Sequence, residues 1–418
     1  MKRSLSFGGR PDTALVVAGT CLIAGTYGLV RLGYGLFLPD IRASIGLGSA
    51  AAGYVAAGSS VAYCLGALLG LGVGGRARAL VVGALATASC GAAGMALSTD
   101  VAMFVPLAVL SSVGAGLASP GMVAVIERNV RRAERDRAQA VVNAGTGPGL
   151  VAAGALALVL LPRWQLGFAV AAIVTAAAGI AVLALDRPRP AYDGPARTDG
   201  EDQPTDQDDR VDQDDEGHAW MWDLRRPAAA ALLLGAGSAS VWTYGRSLLV
   251  AQGAGADASV VAWMAVGVGG SATVVTAGRL ARLPPPRAWL LSCGAVGVSI
   301  AVLAAGASYP ALALVACAAF GWSFVAATTA LIAWAGSRVP DRAAPGTSML
   351  FVMLTLGQAA GSAAGGAIGD ARGLPFAFAL AAGVTAAAAA VATGRVRRPG
   401  PATAGRPGRS RPGGAGRR

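Results

Sequence analysis

Long apolar stretches recur along almost the whole chain, and they limit its possible folds more than any other feature. We place twelve of them at about 13–38, 49–74, 79–97, 101–126, 138–161, 166–185, 227–250, 258–278, 288–307, 310–335, 346–368 and 374–394. Each is close to the roughly 20 apolar residues that cross a bilayer as a helix. The stretches are continuous rather than alternating, which excludes a β-barrel. The sequence therefore predicts an all-α integral membrane protein with twelve transmembrane helices.

The arginines are distributed unequally between the loops, and this predicts the orientation. If the N-terminus is cytoplasmic, the inner loops carry Arg76, Arg78, five arginines within 128–137 and several further groups. The outer loops then hold only Arg42, Arg163 and Arg372. Because cytoplasmic loops are enriched in Lys and Arg, we expect both termini to be cytoplasmic.

One long hydrophilic segment divides the helices six and six. We predict a cytoplasmic N-terminus (1–12), an N-terminal six-helix half (13–186), an acidic disordered cytoplasmic linker (187–226), a C-terminal six-helix half (227–394) and a basic disordered cytoplasmic tail (395–418). Low hydrophobicity and high charge favour disorder in the linker. Its Asp pairs could be read as a magnesium or diphosphate motif, but no apolar helix surrounds them.

The net charge of +12 does not indicate a nucleic-acid partner, because the tail alone supplies eight arginines and no acid. Basic tails beside a membrane helix usually fix topology or contact anionic lipid. We therefore expect membrane lipids and a small-molecule substrate as partners, no nucleic acid, and a monomer. The sole lysine is Lys2, which excludes a phosphate-binding loop for ATP hydrolysis.

Short similar segments in the two halves support an internal duplication. Thr26-Tyr27-Gly28 lies in the first span, and Thr243-Tyr244-Gly245 lies in the seventh. Twelve helices in two related halves are typical of repeat-built transporters.

The loop motifs add a more specific likeness. The second loop reads Gly70-Leu-Gly-Val-Gly-Gly-Arg76-Ala-Arg78, and its counterpart after span eight begins Gly278-Arg279. Together with the topology, these motifs resemble the major facilitator superfamily of secondary transporters, although the acid of the family signature is missing from both loops. Gly147-Pro148 in span five is similar to a motif of antiporter branches and favours export.

The resemblance implies the fold and the activity. We expect a small organic solute, an organic anion or an efflux substrate, to cross the cell membrane by alternating access. We expect no enzymatic activity, cofactor or metal. The alternatives are a membrane-embedded enzyme acting on a lipid-linked substrate, and a receptor or scaffold that keeps the fold without transport.

Glycines spaced four apart form stripes on two predicted helices that the resemblance places in contact across the halves. The stripes, which we treat together with the loop motifs as candidate gating residues, are Gly66, Gly70 and Gly74 in span two, and Gly357, Gly361 and Gly365 in span eleven. Small residues let helix backbones approach closely. The stripes could form a smooth seam along which one half rocks, or they could serve static packing.

Charges inside a span are costly and indicate function. Tyr27, Arg31 and Tyr34 have the spacing of one helix face, so two tyrosines would flank a guanidinium that can bind a carboxylate. Arg31 could instead extend to the outer interface.

The Arg246 side chain could likewise line the cavity or extend to the outer interface. Trp242 is its predicted stacking partner. Asn143 and Gln358 are polar at span depth and complete the candidate substrate-binding set. No acid lies well inside a span, so a uniporter, an anion exchanger and coupling through Asp40 are open alternatives.

Overall fold

The computed structural model describes residues 10–72, 76–187 and 220–393, which form twelve long helices. In the first half they are α1 (Asp12–Ile45), α2 (Ser49–Gly72), α3 (Ala77–Leu97), α4 (Val101–Asn129), α5 (Arg132–Leu160) and α6 (Trp164–Leu185). In the second half they are α7 (Arg225–Ala251), α8 (Ala256–Leu280), α9 (Pro285–Gly306), α10 (Pro310–Arg338), α11 (Pro340–Arg372) and α12 (Leu374–Thr393). The twelve-helix prediction is confirmed. Most of the predicted linker, the basic tail and Gly74 lie outside the described residues.

Eleven of these helices are apolar enough to cross a membrane by composition, and α7 is the exception. Its polar side chains at Ser238, Ser240, Thr243, Arg246 and Ser247 are all buried. The helix packs against α11 and α12 of its own half and against the end of α1. Because protein rather than lipid surrounds α7 at these positions, its surface does not need to be apolar all round.

The two halves repeat one packing pattern. In the first half α3 packs on α4 and α6, while α1 packs on α5 and α6. In the second half α9 packs on α10 and α12, while α7 packs on α11 and α12. Adding six to each helix number of the first set gives the second, as expected for an internal duplication.

Helix ends follow local sequence signals. The Asp100 side chain accepts a hydrogen bond of 2.9 Å from the Met103 amide and so caps α4. Gly46 ends α1 with φ of +70°, and Gly373 separates α11 from α12 with φ of +87°. A side chain at these two positions would strain the turn.

Two faces of the bundle are distinguished below. The terminal face is the end at which α1 begins and α12 ends, and the opposite face holds the loops that follow α1, α3, α5, α7, α9 and α11. The cytoplasmic location of the terminal face stays a prediction from the arginine distribution.

The glycine stripes face partners inside each half rather than across the halves. A Cβ at Gly66 would press on α4 at the Val113 carbonyl oxygen, and one at Gly70 would overlap Pro120 of the same helix. In α11, Gly357 and Gly361 face the α7 backbone, while Gly365 faces the Tyr244 ring. The described stripe glycines thus pack within their own half and not along a seam between the halves, and their part in gating stays a prediction.

Helices α2 and α11 do meet across the halves, as the resemblance implies, but through other glycines. A Cβ at Gly53 would overlap the Ser362 carbonyl oxygen, and a Cβ at Gly366 would overlap that of Ser49. A stripe of small residues marks a close approach without identifying the helix that approaches.

We predict that Gly361→Ala lowers the thermal stability of the purified protein, because the new methyl group would overlap the Ala236 carbonyl oxygen. Overpacking of this kind costs about 1–3 kcal/mol. The matched control is Gly383→Ala in α12, where a Cβ would meet nothing within 4 Å. Equal melting temperatures for the two variants would contradict the close α7–α11 contact.

Candidate functional site

A cavity of about 840 Å³ lies between the two halves. Helices α1, α2, α4 and α5 of the first half line it together with α7, α10 and α11 of the second. It reaches from Gln139 and Thr347, close to the terminal face, past the middle of the bundle to Tyr34 and Ser362. Its size and its position between repeats are those of a small-molecule site in a transporter.

Polar contacts join the halves at the opposite face. Arg246 on α7 forms an ion pair with Asp40 on α1 and donates a hydrogen bond of 2.8 Å to the Leu36 carbonyl oxygen. Nearby, the Ala50 amide of α2 donates to the Asp370 carboxylate of α11 at 2.8 Å. The halves are thus joined at the opposite face, whereas the lining of the cavity extends to Gln139 and Thr347 near the terminal face.

Arg246 was predicted either to line the cavity or to extend to the interface, and it does neither. It is 1% exposed, and its Nε donates to the Ser259 hydroxyl at 3.1 Å. Trp242 does not stack on it either, but lies within 5.3–6.3 Å of the rings of Trp263, Phe320 and Phe324. The acid that satisfies Arg246 is 206 residues away in the sequence, beyond the reach of a spacing argument.

Arg31, by contrast, lines the cavity. Its guanidinium carbon lies 4.2 Å from the centroid of the Tyr63 ring on α2, which is a cation–π contact. It extends into the space between the halves and not along the helix to the interface.

A π-helical segment, Ala24–Arg31, interrupts α1 at this level. The Leu32 amide donates to the Tyr27 carbonyl oxygen at 2.8 Å, five residues back. Such segments are rare and frequently mark functional sites. Because the turns are wider, the α-helical spacing on which the prediction for Tyr27, Arg31 and Tyr34 depended does not apply across it.

The two predicted tyrosines border the cavity but do not clamp the guanidinium. The Tyr27 hydroxyl donates to the Tyr63 hydroxyl at 2.8 Å and lies 3.3 Å from the Ser119 hydroxyl. The Tyr34 hydroxyl donates to the Ala52 carbonyl oxygen at 2.9 Å. Tyr63 takes the place beside Arg31, and its own hydroxyl hydrogen stays available for another acceptor.

Three other predicted residues also line the cavity, namely Asn143, Trp242 and Gln358. The Asn143 side-chain oxygen accepts from Gln139 at 3.1 Å, which leaves its amide nitrogen free to donate. The structure thus brings six of the seven candidate substrate residues to one cavity and leaves Arg246 outside it.

The charge in this cavity is unbalanced. Arg31 is the one charged side chain among the described residues that line it. Its guanidinium has no carboxylate or carbonyl partner in the described part of the chain, and Tyr63 is its nearest polarisable contact. A guanidinium enclosed between helices is costly unless an anion approaches it.

Comparison with known proteins gives the family. The family model for the Major Facilitator Superfamily matches residues 20–345, more than half of the chain. The chain belongs to the major facilitator superfamily. A search of curated proteins finds no match.

Solved structures of major facilitator transporters share the fold. A mutant of the nucleoside transporter NupG aligns with a TM-score of 0.72 at 14% identity, covering 91% of this chain and 99% of that one. A mutant of the peptide transporter POT in complex with alafosfalin gives 0.71 at 12%, covering 91% and 93%. A bacterial homologue of the human lysosomal transporter Spinster, inward-facing and occupied, gives 0.67 at 14%, covering 92% and 97%. The chain is a multi-pass membrane protein with a transporter fold, and its family indicates membrane transport.

The superfamily loop motifs lie outside the cavity. Arg78 donates to the Asp186 carboxylate at the end of α6 at 3.0 Å. Arg128 pairs with the same carboxylate, whose side chain is fully buried. Arg76 is exposed, and so are Gly278 and Arg279, which lie in the last turn of α8. Arg78 thus finds an acid in a neighbouring helix, although the loop itself supplies none.

The Gly147-Pro148 motif lies where α5 approaches both halves. A Cβ at Gly147 would come within 2.9 Å of the Ser271 hydroxyl on α8. One at Gly149 would lie 2.5 Å from the Ala24 carbonyl oxygen in the π-helical segment. The motif therefore permits close packing of α5 against α8 and against the start of the π-helical segment, and its gating role stays a prediction.

Sequence reasoning missed Tyr63, Ser119 and Phe324 as cavity residues. A tyrosine in mid-span, away from the interfaces where tyrosines normally concentrate, could have identified Tyr63. No group of three or more His, Cys, Asp or Glu in the described residues is arranged to hold a metal ion.

We predict that Asp40→Asn destabilises the protein by about 3 kcal/mol, because it leaves Arg246 buried without a counter-charge. Thermal unfolding in detergent measures the effect. The double variant Asp40→Asn/Arg246→Gln should recover part of the loss, since no uncompensated charge remains. The control is Glu134→Gln, which removes an exposed ion pair with Arg131 and should cost less than about 1 kcal/mol. Equal losses for the buried and exposed pairs would overturn this account.

Proposed function

We propose that this protein is a secondary transporter that carries a small organic anion across the cell membrane by alternating access. The observation that carries the proposal is Arg31, a cation without a carboxylate partner in a cavity to which no described acid contributes. Transport of organic solutes is consistent with relatives named as nucleoside and peptide transporters.

Arginine suits this task because its planar guanidinium binds a carboxylate through two parallel hydrogen bonds. The contact with Tyr63 occupies one face of the guanidinium and leaves N–H donors at its edge for the ligand. The spare hydroxyl hydrogen of Tyr63 provides a further donor on the same wall. Because these donors have no acceptor within the described part of the protein, they favour an anion over a cation as the ligand.

The rest of the lining supports an organic substrate rather than an inorganic ion. Trp242, Phe324 and Phe351 supply aromatic surface, and Ile332 and Val352 supply aliphatic surface, all on the second half. An inorganic anion would leave most of this surface in contact with water. A molecule with an anionic end and an apolar body uses both kinds of wall.

The alternating-access part of the proposal rests on the closed opposite face. The ion pair of Arg246 with Asp40 and the contact of Ala50 with Asp370 would have to separate before the substrate could leave on that side. With the terminal face in the cytoplasm, as the arginine distribution predicts, the structure is inward-facing.

A thermal-stability screen tests the anion site. The ligands are benzoate, benzamide and benzylammonium, which share a ring and differ in charge. A ligand that binds the folded state raises the melting temperature by mass action. We predict that benzoate stabilises the parent more than the other two, and that Arg31→Gln abolishes this difference.

The matched control is Arg163→Gln, which removes the same charge from an exposed loop at the opposite face. Benzoate uptake into proteoliposomes should follow the same order, with parent and control active and Arg31→Gln at least about tenfold slower, the loss of one charge-assisted bond. Equal stabilisation of parent and Arg31→Gln by benzoate would show that Arg31 is structural. A preference for benzylammonium would contradict the anion assignment.

A further inference from the structure

A second unpartnered polar group faces the same cavity from the other half. Gln358 on α11 is half-buried, and its side-chain amide has no hydrogen-bond partner among the described residues. Its neighbours on the same helix face are satisfied. Thr355 donates to the Phe351 carbonyl oxygen at 2.9 Å, and Ser362 shares a hydrogen bond with Thr243 at 3.0 Å.

Close backbone packing fixes the position of Gln358. Gly235 on α7 packs against the α11 backbone, where a Cβ would lie 3.0 Å from the backbone nitrogen of Gln358. Gly357 and Gly361 hold the same two helices together on either side of it. The side chain of Gln358 therefore extends into the cavity from a helix whose backbone is closely packed against α7.

Gln358 and Arg31 line the same cavity from the two halves. Tyr63, which Arg31 contacts, and its chain neighbour Cys64 line it together with Thr355 of α11. Thr355 is one helical turn from Gln358. A small molecule that spans the cavity between the halves would contact both side chains.

An aromatic wall lies on the same side as Gln358. The Trp242 ring lies 5.3 Å from the ring of Phe324, edge to face, and both residues line the cavity. Rings at this spacing accept a further ring against their faces or edges. The second half thus offers an aromatic surface and an uncharged amide, whereas the first half offers the cation.

We propose that Gln358 selects the substrate's second polar group, so that the substrate is an aromatic monoanion that also carries an uncharged hydrogen-bonding group such as an amide. This rests on the proposed function, in which Arg31 holds the anionic group. An amide side chain both donates and accepts. It has no charge with which to compensate a second carboxylate or an ammonium group, and either would lose water without gaining an ion pair.

Three probes of one shape test this selection. They are para-carbamoylbenzoate, terephthalate and para-(aminomethyl)benzoate, which keep the carboxylate and vary the opposite group from neutral to anionic to cationic. We predict that the parent protein prefers the amide by at least about tenfold in Kd, because a second charged group would lose its water without gaining an ion pair. Titration by thermal stability and by calorimetry measures the order.

Two opposite substitutions should move the preference in opposite directions. Gln358→Arg should make terephthalate the best ligand, and Gln358→Glu should make para-(aminomethyl)benzoate the best ligand. The control pair is Gln165→Arg and Gln165→Glu, at a partly exposed glutamine at the start of α6 that is not part of the cavity lining. Both control variants should keep the parent's order.

The outcomes separate the two proposals. If the probes stabilise the parent but not Arg31→Gln, and the Gln358 variants keep the parent's order, the selection by Gln358 is wrong and the anion site stands. If Arg31→Gln binds all three probes as the parent does, or no probe stabilises the parent, the anion site itself is wrong. Because Gln358→Glu introduces little extra volume, it decides the matter even if Gln358→Arg fails to fold.

Discussion

The ion pair between Arg246 and Asp40 is the interaction on which the shape of the cavity depends. It joins α7 to α1 at the opposite face, and the contact of Asp370 with Ala50 extends the closure to α11 and α2. Because the halves are held together at that end, the space between them opens toward the other. Arg246 is buried, so it is stabilised mainly by Asp40 and by neutral oxygens.

The two arginines inside the bundle show how differently one residue type can be used. Arg31 and Arg246 lie in corresponding helices of the two halves, α1 and α7. Arg246 has a carboxylate partner and closes one face, whereas Arg31 has an aromatic ring and no carboxylate. A cation that the protein itself leaves without a counter-charge favours an anionic ligand, which is why the proposed site is in the first half.

The span positions and the position of Arg31 inside a span could be predicted because they depend on local properties, namely the length and spacing of apolar stretches. The residues that contact the arginines inside the bundle could not be predicted from the sequence. Asp40 meets Arg246 through tertiary packing, and Tyr63 reaches Arg31 from a different helix. The π-helical segment Ala24–Arg31 changed the phase of α1 without a signal in the spacing of its apolar residues. The glycines of α11 were assigned to the wrong neighbouring helix because tertiary packing, which local spacing does not report, decides which helix approaches them.

The contacts across the halves include polar pairs that can be exchanged for water, which fits alternating access. Within a half, Gly357 and Gly361 bring α11 onto the α7 backbone, so these helices interlock and move as one body. At the opposite face, the halves are joined by an ion pair, by hydrogen bonds and by the close approach of α2 to α11 at Gly53 and Gly366. Water can replace such polar contacts when that face opens, and the net free energy lost per hydrogen bond is then only about 1 kcal/mol. Two arrangements of the halves can therefore be close in free energy, and a ligand that binds one of them more tightly by a few kcal/mol can shift their populations.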